Sequence, residues 1–446
     1  MMLKTEPAAS PLRGELTPPG DKSISHRSLI FGCLAAGETR VEGLLESEDV
    51  NATAEACRQL GMGIHRQGDA LLLQGVGDRG LSAPSAALDM GNSGTAMRLL
   101  AGVLAAQPFD TTLVGDESLS QRPMKRIVNP LRMMGADIET GEGGTPPLRI
   151  RGVSAGLHGI TYDSPVASAQ VKSCLLLAGL YAEGQTTVNE PLKSRDHTEK
   201  MLPAFGVELL GDCGVMGGSR LTGTSLRVPA DISSAAFFLV AAALVPGSEL
   251  LLKNVGLNET RDGIVHVMQA MGADLLVENS RVSGGEKVAD LRIRYAGRLQ
   301  GTVIPVDIVP SLIDELPVIL ALAACCEGTT RLRGAAELRV KESDRLAVMA
   351  RGLETLGVEL EEYEDGMDVR GGAIGGGEVD GSGDHRCAMS FCVLGQVASA
   401  PVTVRGCHNI NTSYPAFVAD LTAIGGRLGR PDTIAAEAAF TSEARQ

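Results

Sequence analysis

Six stretches of the chain share one alternation of apolar and polar positions. Each opens with small and apolar residues that leave no polar face, as in AAFFLVAAALV (235–245) and LPVILALAACC (316–326). A helix that is apolar all round belongs inside a core. A Gly or Pro turn follows, then a segment rich in Thr, Val and Leu, as in VPGSELLLKN (245–254) and CEGTTRLRG (326–334). Such segments read as strands. A second helix with one polar face comes next, as in GIVHVMQAMGA (263–273) and AVMARGLETLG (347–357), and it stops at glycine. These glycines are Gly61, Gly135, Gly206, Gly272, Gly357 and Gly425, at intervals of roughly 70 residues. The pattern predicts an α/β protein of six βαβαββ-like units. One unit is too small to bury two helices alone, so three would share their apolar helices and six would form two domains.

Composition narrows the function. The 446 residues carry 40 Lys+Arg and 54 Asp+Glu, a net charge of −14, with aromatics at 3% and no Trp. An acidic chain with few stacking platforms argues against nucleic acid and anionic membrane as partners. A small anion in a locally basic site stays admissible. The nine cysteines form no C-x-x-C pair and mostly sit in apolar runs, so reduced buried thiols are expected. The seven histidines show no H-x-x-x-H spacing and no His/Cys cluster, so no metal site is expected. The first residues, MMLKTEPAAS, lack the apolar run of a signal peptide, and Ala235–Pro246 is too short to span a bilayer. A cytoplasmic location is expected.

Charge placement adds a signal. A helix N-terminus carries about +0.5 charge and disfavours cations. Cations nevertheless recur at expected helix starts: Lys22, His26 and Arg27 in GDKSISHR; Arg122 in SQRP, opening a second helix; Arg195 and His197 in SRDH; Lys341 and Arg345 in RVKESDR; His385 and Arg386 in GDHR. A bound anion would resolve the clash. Local pairing with Asp21, Asp196, Asp344 and Asp384 would also resolve it. Gly91-Asn92-Ser93-Gly94-Thr95 is either an anion-facing loop or a plain capped turn, and it lacks the lysine of a nucleotide-binding P-loop. Ser168, Gln170 and Lys172 either reach substrate oxygens or simply open a polar helix start. Asp314 and Glu315 interrupt an apolar segment, where a carboxylate must cap, pair or work. Glu342 is either an i,i+3 partner of Arg345 or a proton shuttle beside anion-binding cations.

GDKSISHR, GNSGTAMR, QRPM, SAQVKS, SRDHTEKML, IDELP, LRVKESDRL and GDHR occur together over essentially the full chain. In content, order and spacing they resemble the 5-enolpyruvylshikimate-3-phosphate synthase family (3-phosphoshikimate 1-carboxyvinyltransferases). The resemblance implies a two-domain inside-out α/β barrel of six βαβαββ repeats, the enolpyruvyl transferase fold. Domain 1 would be discontinuous, residues 1–20 plus 229–446, and domain 2 would be 21–228, with the active site in the cleft between them. The implied reaction converts phosphoenolpyruvate and shikimate 3-phosphate into enolpyruvylshikimate phosphate and inorganic phosphate, through a tetrahedral intermediate and without a cofactor. Lys22, Ser23, Arg27, Ser168, Ala169, Gln170, Arg195, Asp314 and Lys341 would bind shikimate 3-phosphate. Lys22, Gly94, Arg122, Gln170, Arg345 and Arg386 would bind phosphoenolpyruvate. Asp314 would take the 5-hydroxyl proton and Glu342 would donate to the enol methylene, with Lys22 as a further catalytic group. The family suggests a monomer.

Some positions depart from the family's better-known branch. Asn411-Thr412-Ser413-Tyr414-Pro415 lacks the lysine which that branch carries before a T-F-P-like motif, leaving Thr412 as a candidate substitute. Ala169 stands for Ser, Glu337 for Asn and Leu99 for Pro. Gly94 has no methyl group to crowd glyphosate, the family's inhibitor at the phosphoenolpyruvate site, so sensitivity is expected. UDP-N-acetylglucosamine enolpyruvyl transferase shares the fold, but its motif has Lys-Asn where Lys22-Ser23 stands, and no cysteine here lies in a polar loop near residues 110–125. A dead anion-binding scaffold would have lost Asp314, Glu342 or the cations, and all are present.

Overall fold

The computed structural model describes residues 1–77 and 80–432. The chain divides into two compact units, each with its own apolar core. One is Pro19–Pro229 with Val282–Lys287; the other is Met1–Pro18, Ala230–Arg281 and the chain from Val288 onward.

The first unit contains α1 (Lys22–Leu34), α2 (Glu48–Gln59), α3 (Gly94–Leu104), α4 (Lys125–Met133), α5 (Ala169–Gly179) and the short α6 (His197–Met201). Its α1, α3 and α5 are the apolar helices of the repeat, and from Val171 to Gly179 every residue of α5 is buried. The second unit contains α7 (Ile232–Leu244), α8 (Gly263–Ala270), α9 (Leu316–Ala323), α10 (Arg345–Thr355), α11 (His385–Leu394) and α12 (Phe417–Ala423). Every residue of α9 is buried, and α7 is buried from Ile232 to Ala243. The six repeat-marking glycines all have φ between 83° and 111°, the left-handed region in which glycine ends a helix.

Among the described residues the strands form six open sheets. In the first unit, Glu38–Glu42 pairs in parallel with Ser225–Arg227 and antiparallel with Ala70–Gln74. Thr111–Val114 likewise pairs in parallel with Leu88–Asp89 and antiparallel with Leu148–Arg151. Gln185–Asn189 repeats the scheme with Thr161–Asp163 and Gly214–Met216. In the second unit, Leu3–Glu6 lies between Val402–Arg405 and Arg427–Gly429, and Arg13–Leu16 runs parallel to Glu249–Gly256. The first residues of the chain therefore complete sheets built from its last half. This is the mixed α/β repeat fold expected from the hydrophobic pattern, with apolar helices innermost. Among the described residues no sheet closes on itself.

Small residues let the inner helices touch. A methyl at Gly102 of α3 would stand 2.1 Å from the Cys174 carbonyl oxygen of α5. Backbone cannot yield as a side-chain end can, so Gly102→Ala should lower stability by about 1–3 kcal/mol, read as an earlier urea midpoint. An unchanged midpoint would contradict this contact.

Candidate functional site

In the first unit, Asp21 caps α1 by accepting from the Ile24 amide at 2.8 Å. It answers the helix dipole at the point where Lys22 begins the helix. The Lys22 ammonium pairs at 2.5 Å with Asp49, a buried carboxylate in the first turn of α2. One turn on, Arg27 is buried and donates to Thr198 Oγ1 (2.7 Å), Ser173 Oγ (2.7 Å) and the Ser23 carbonyl (2.9 Å). Between them His26 contacts Thr53 Oγ1 at 2.7 Å through Nδ1. Burial, then the charges of Lys22 and Arg27, push the His26 pKa well below its ordinary 6.5.

A second cluster gathers around Gly94, the first residue of α3. A methyl there would lie 2.9 Å from Arg98 Nη1 and 3.2 Å from Arg122 Nη1, so two guanidinium groups flank its bare Cα. Arg98 donates to Gln170 Oε1 (2.5 Å), and Gln170 Nε2 donates to Thr95 Oγ1 (2.9 Å). Arg122 donates to Asn92 Oδ1 at 2.7 Å. Gly94, Arg122 and Gln170, chosen from sequence as ligands of one substrate, thus share a single cluster. Ser168 and Ala169 stand at the N-terminus of α5, half-buried, and Arg195 is half-buried just before the α6 N-cap.

The second unit assembles the acids. Arg345, at 1% exposure, bonds three carboxylates: Asp384 through Nε (2.8 Å), Asp314 through Nη1 (3.1 Å) and Glu342 through Nη2 (2.5 Å). Burial opposes its charge; Asp384, Glu342 and Asp314 outweigh burial, and the net effect raises its pKa well above the ordinary arginine value. Arg386 donates to the Asp314 carbonyl at 3.2 Å and stands 3.7 Å from the carboxylate. Asp384, fully buried, also caps α11 by accepting from the Arg386 amide at 2.9 Å. Lys341 lies 3.7 Å from Glu337.

Several expectations change. Arg122 does not open a helix: it is extended (φ −79°, ψ 141°) after a 3-10 turn, and α4 starts at Lys125. Pro123 disfavours helical backbone in the residue before it. Lys172 is not an exposed residue of a polar helix start: it is buried between Glu190 (2.8 Å) and Glu199 (2.7 Å). Thr412 is buried and donates its hydroxyl to the Asn409 carbonyl at 2.7 Å, so it does not replace a lysine ammonium. Local pairing accounts for part of the cation placement: Asp21, Asp344 and Asp384 cap their helices, while Asp196 makes no side-chain cap and pairs with Lys193 instead. Sequence reasoning missed Arg98, although it lies one turn beyond Gly94 in the quoted GNSGTAMR motif. It also missed Asp49, whose place in an acidic helix start resembled an ordinary cap.

Among the described residues, the fold combines six sheets around apolar helices with arginines grouped beside Gly94 and on buried carboxylates, the architecture of a two-unit α/β repeat protein. The family model for EPSP synthase (3-phosphoshikimate 1-carboxyvinyltransferase) matches residues 7–421. A 3-phosphoshikimate 1-carboxyvinyltransferase from Alkalilimnicola ehrlichii is 55% identical over 428 residues, spanning 94% of this chain and 95% of that protein. One from Legionella pneumophila is 54% identical over 411 residues, spanning 91% and 94%. The solved structure of EPSP synthase from Acinetobacter baumannii aligns with a TM-score of 0.85 and 49% identity, covering 96% of this chain and 99% of that one. The chain belongs to the EPSP synthase family.

The buried His26 carries a pH signature. Its folded pKa lies below the unfolded value, so the unfolded state binds more protons as pH falls below 6.5. Stability is fully present above that pH and falls below it, by at most ~1.4 kcal/mol per pH unit from this group. His26→Gln should flatten the decline measured by urea unfolding between about pH 6.5 and 5. An identical decline in both proteins would contradict it.

Proposed function

We propose that this chain performs its family's reaction with the residues described above. The enolpyruvyl group of phosphoenolpyruvate passes to the 5-hydroxyl of shikimate 3-phosphate, and inorganic phosphate leaves. Asp314 accepts the hydroxyl proton while Glu342 delivers a proton to the methylene carbon. The carbon bearing the phosphate becomes electrophilic and takes the oxygen. Loss of phosphate and of a proton from the new methyl group restores the double bond. The observation that carries this reading is Arg345: one buried guanidinium holds both Asp314 and Glu342, bringing a proton acceptor and a proton donor to one cation.

Arg122, Arg345, Arg386, Lys22, Gly94 and Gln170 serve phosphoenolpyruvate. The pair of guanidinium groups over Gly94 supports a carboxylate or phosphate there, since each offers a planar fork of donors. Arg98 joins this set through its bond to Gln170. Ser23, Arg27, Ser168, Ala169, Gln170, Arg195 and Lys341, with Lys22 and Asp314, serve shikimate 3-phosphate. Arg27 holds its hydroxyl-bearing face through a preformed network rather than as a free charge. The protein acts as a monomer in the cytoplasm; its nine free cysteines suit a reducing compartment. Glyphosate binds in place of phosphoenolpyruvate, beside Gly94.

Phosphate release should require both substrates together and be absent with either alone, or with UDP-N-acetylglucosamine in place of shikimate 3-phosphate. Release with the sugar nucleotide would overturn the assignment. Asp314→Ala and Glu342→Ala should each lower kcat by roughly 100-fold or more with smaller changes in substrate binding. Arg122→Ala should chiefly raise the KM for phosphoenolpyruvate. Normal turnover by Asp314→Ala would refute its role as proton acceptor. Glyphosate should inhibit competitively with phosphoenolpyruvate, and full turnover at saturating glyphosate would exclude that binding mode.

A further inference from the structure

Glu190 follows the strand Gln185–Asn189 and is nearly enclosed, its side chain 7% exposed. It accepts four hydrogen bonds. Oε1 takes the Ser168 amide (3.0 Å) and the Ser194 hydroxyl (2.6 Å). Oε2 takes the Lys172 ammonium (2.8 Å) and the Ser194 amide (3.2 Å). One carboxylate therefore fixes three pieces of chain: the N-cap of α5, the first turn of α5 and the loop entering α6.

Lys172, at 2% exposure, meets Glu190 and also Glu199 at 2.7 Å, so two carboxyl groups share one ammonium. Burial lowers the Lys172 pKa, Glu199 and Glu190 raise it more, and the ammonium stays charged. Ser168 and the loop residue beside Arg195 hang from the same two oxygens, and a carboxylate accepting several N–H and O–H groups is a stiff joint.

We propose that Glu190 is a positioning residue for the phosphate-bearing substrate, setting the spacing between Ser168 and Arg195 without touching the ligand. This rests on the reading above that Ser168 and Arg195 bind shikimate 3-phosphate. Ser168 Oγ already caps α5 by accepting from the Val171 amide at 3.5 Å, so its backbone bond to Glu190 decides where that hydroxyl stands. Glu190→Gln keeps size and shape but replaces one acceptor with an NH2 donor. Whichever way the amide turns, that donor faces either Lys172 and the Ser194 amide, or the Ser168 amide and the Ser194 hydroxyl. One side of the joint opens.

Steady-state kinetics with each substrate varied in turn, on the full chain, test the proposal. Glu190→Gln should raise the KM for shikimate 3-phosphate by roughly 10-fold or more, while the KM for phosphoenolpyruvate and kcat stay within about two-fold. Ser194→Ala, which removes only one of the four bonds, should raise the same KM by less and serves if Glu190→Gln fails to fold. A purely structural Glu190 would lower kcat and shift both KM values alike, and that result would overturn the proposal. Arg195→Ala separates the two layers. If it raises the KM for shikimate 3-phosphate while Glu190→Gln and Ser194→Ala do not, positioning by Glu190 is wrong and the site assignment stands. If Arg195→Ala leaves that KM unchanged, the site assignment fails and the positioning role falls with it.

Discussion

One buried guanidinium organises the buried acids of the unit that contains it. Arg345 opens α10, where the helix dipole disfavours a cation, and it is 1% exposed, where burial disfavours it again. Three carboxylates on three segments overcome both penalties: Asp314 before α9, Glu342 before α10 and Asp384 at the N-cap of α11. Removing the cation would leave those acids repelling one another. Asp384 also orients α11 and with it Arg386. Three helices from two adjacent repeats, α9, α10 and α11, thus meet at their N-terminal ends on one charge, and the apolar packing behind them fixes where that charge sits.

The other unit applies the same principle with different parts. Lys22 is held by Asp49, Arg27 by Ser173 and Thr198, Arg98 by Gln170 and Arg122 by Asn92. Each of these cations already has a protein partner that fixes its place. Such pre-organised donors need little rearrangement as charge develops, the condition under which electrostatic stabilisation is strongest. Net charge says little about this. A chain at −14 can concentrate cations locally because its acids lie beside them as caps and counter-ions.

The repeat was legible in the sequence because helix burial and chain reversal are local properties. Apolar runs such as AAFFLVAAALV have no polar face, and a glycine after each second helix marks a left-handed turn. The grouping of Gly94 with Arg122 and Gln170 was legible only through the family resemblance of the motifs that carry them. What escaped was partnership across the chain. Nothing local to Lys172 shows that Glu190 and Glu199 enclose it, and nothing local to Arg98 shows that it reaches Gln170. Pro123 reads as a helix start, but its stronger effect is to extend the residue before it, which leaves Arg122 outside the helix. Thr412 looked available as a polar residue near a motif, and only its bond to the Asn409 carbonyl shows otherwise.

The central claim is that a bridging guanidinium, and not merely a positive charge, sets Asp314 and Glu342 for proton transfer. Steady-state turnover of Arg345→Lys tests it most directly, because lysine keeps the charge but lacks the planar fork that reaches three carboxylates. A kcat lower by roughly 100-fold, in a protein whose circular dichroism is unchanged, is the expected result. Turnover within about two-fold of the parent protein would contradict it.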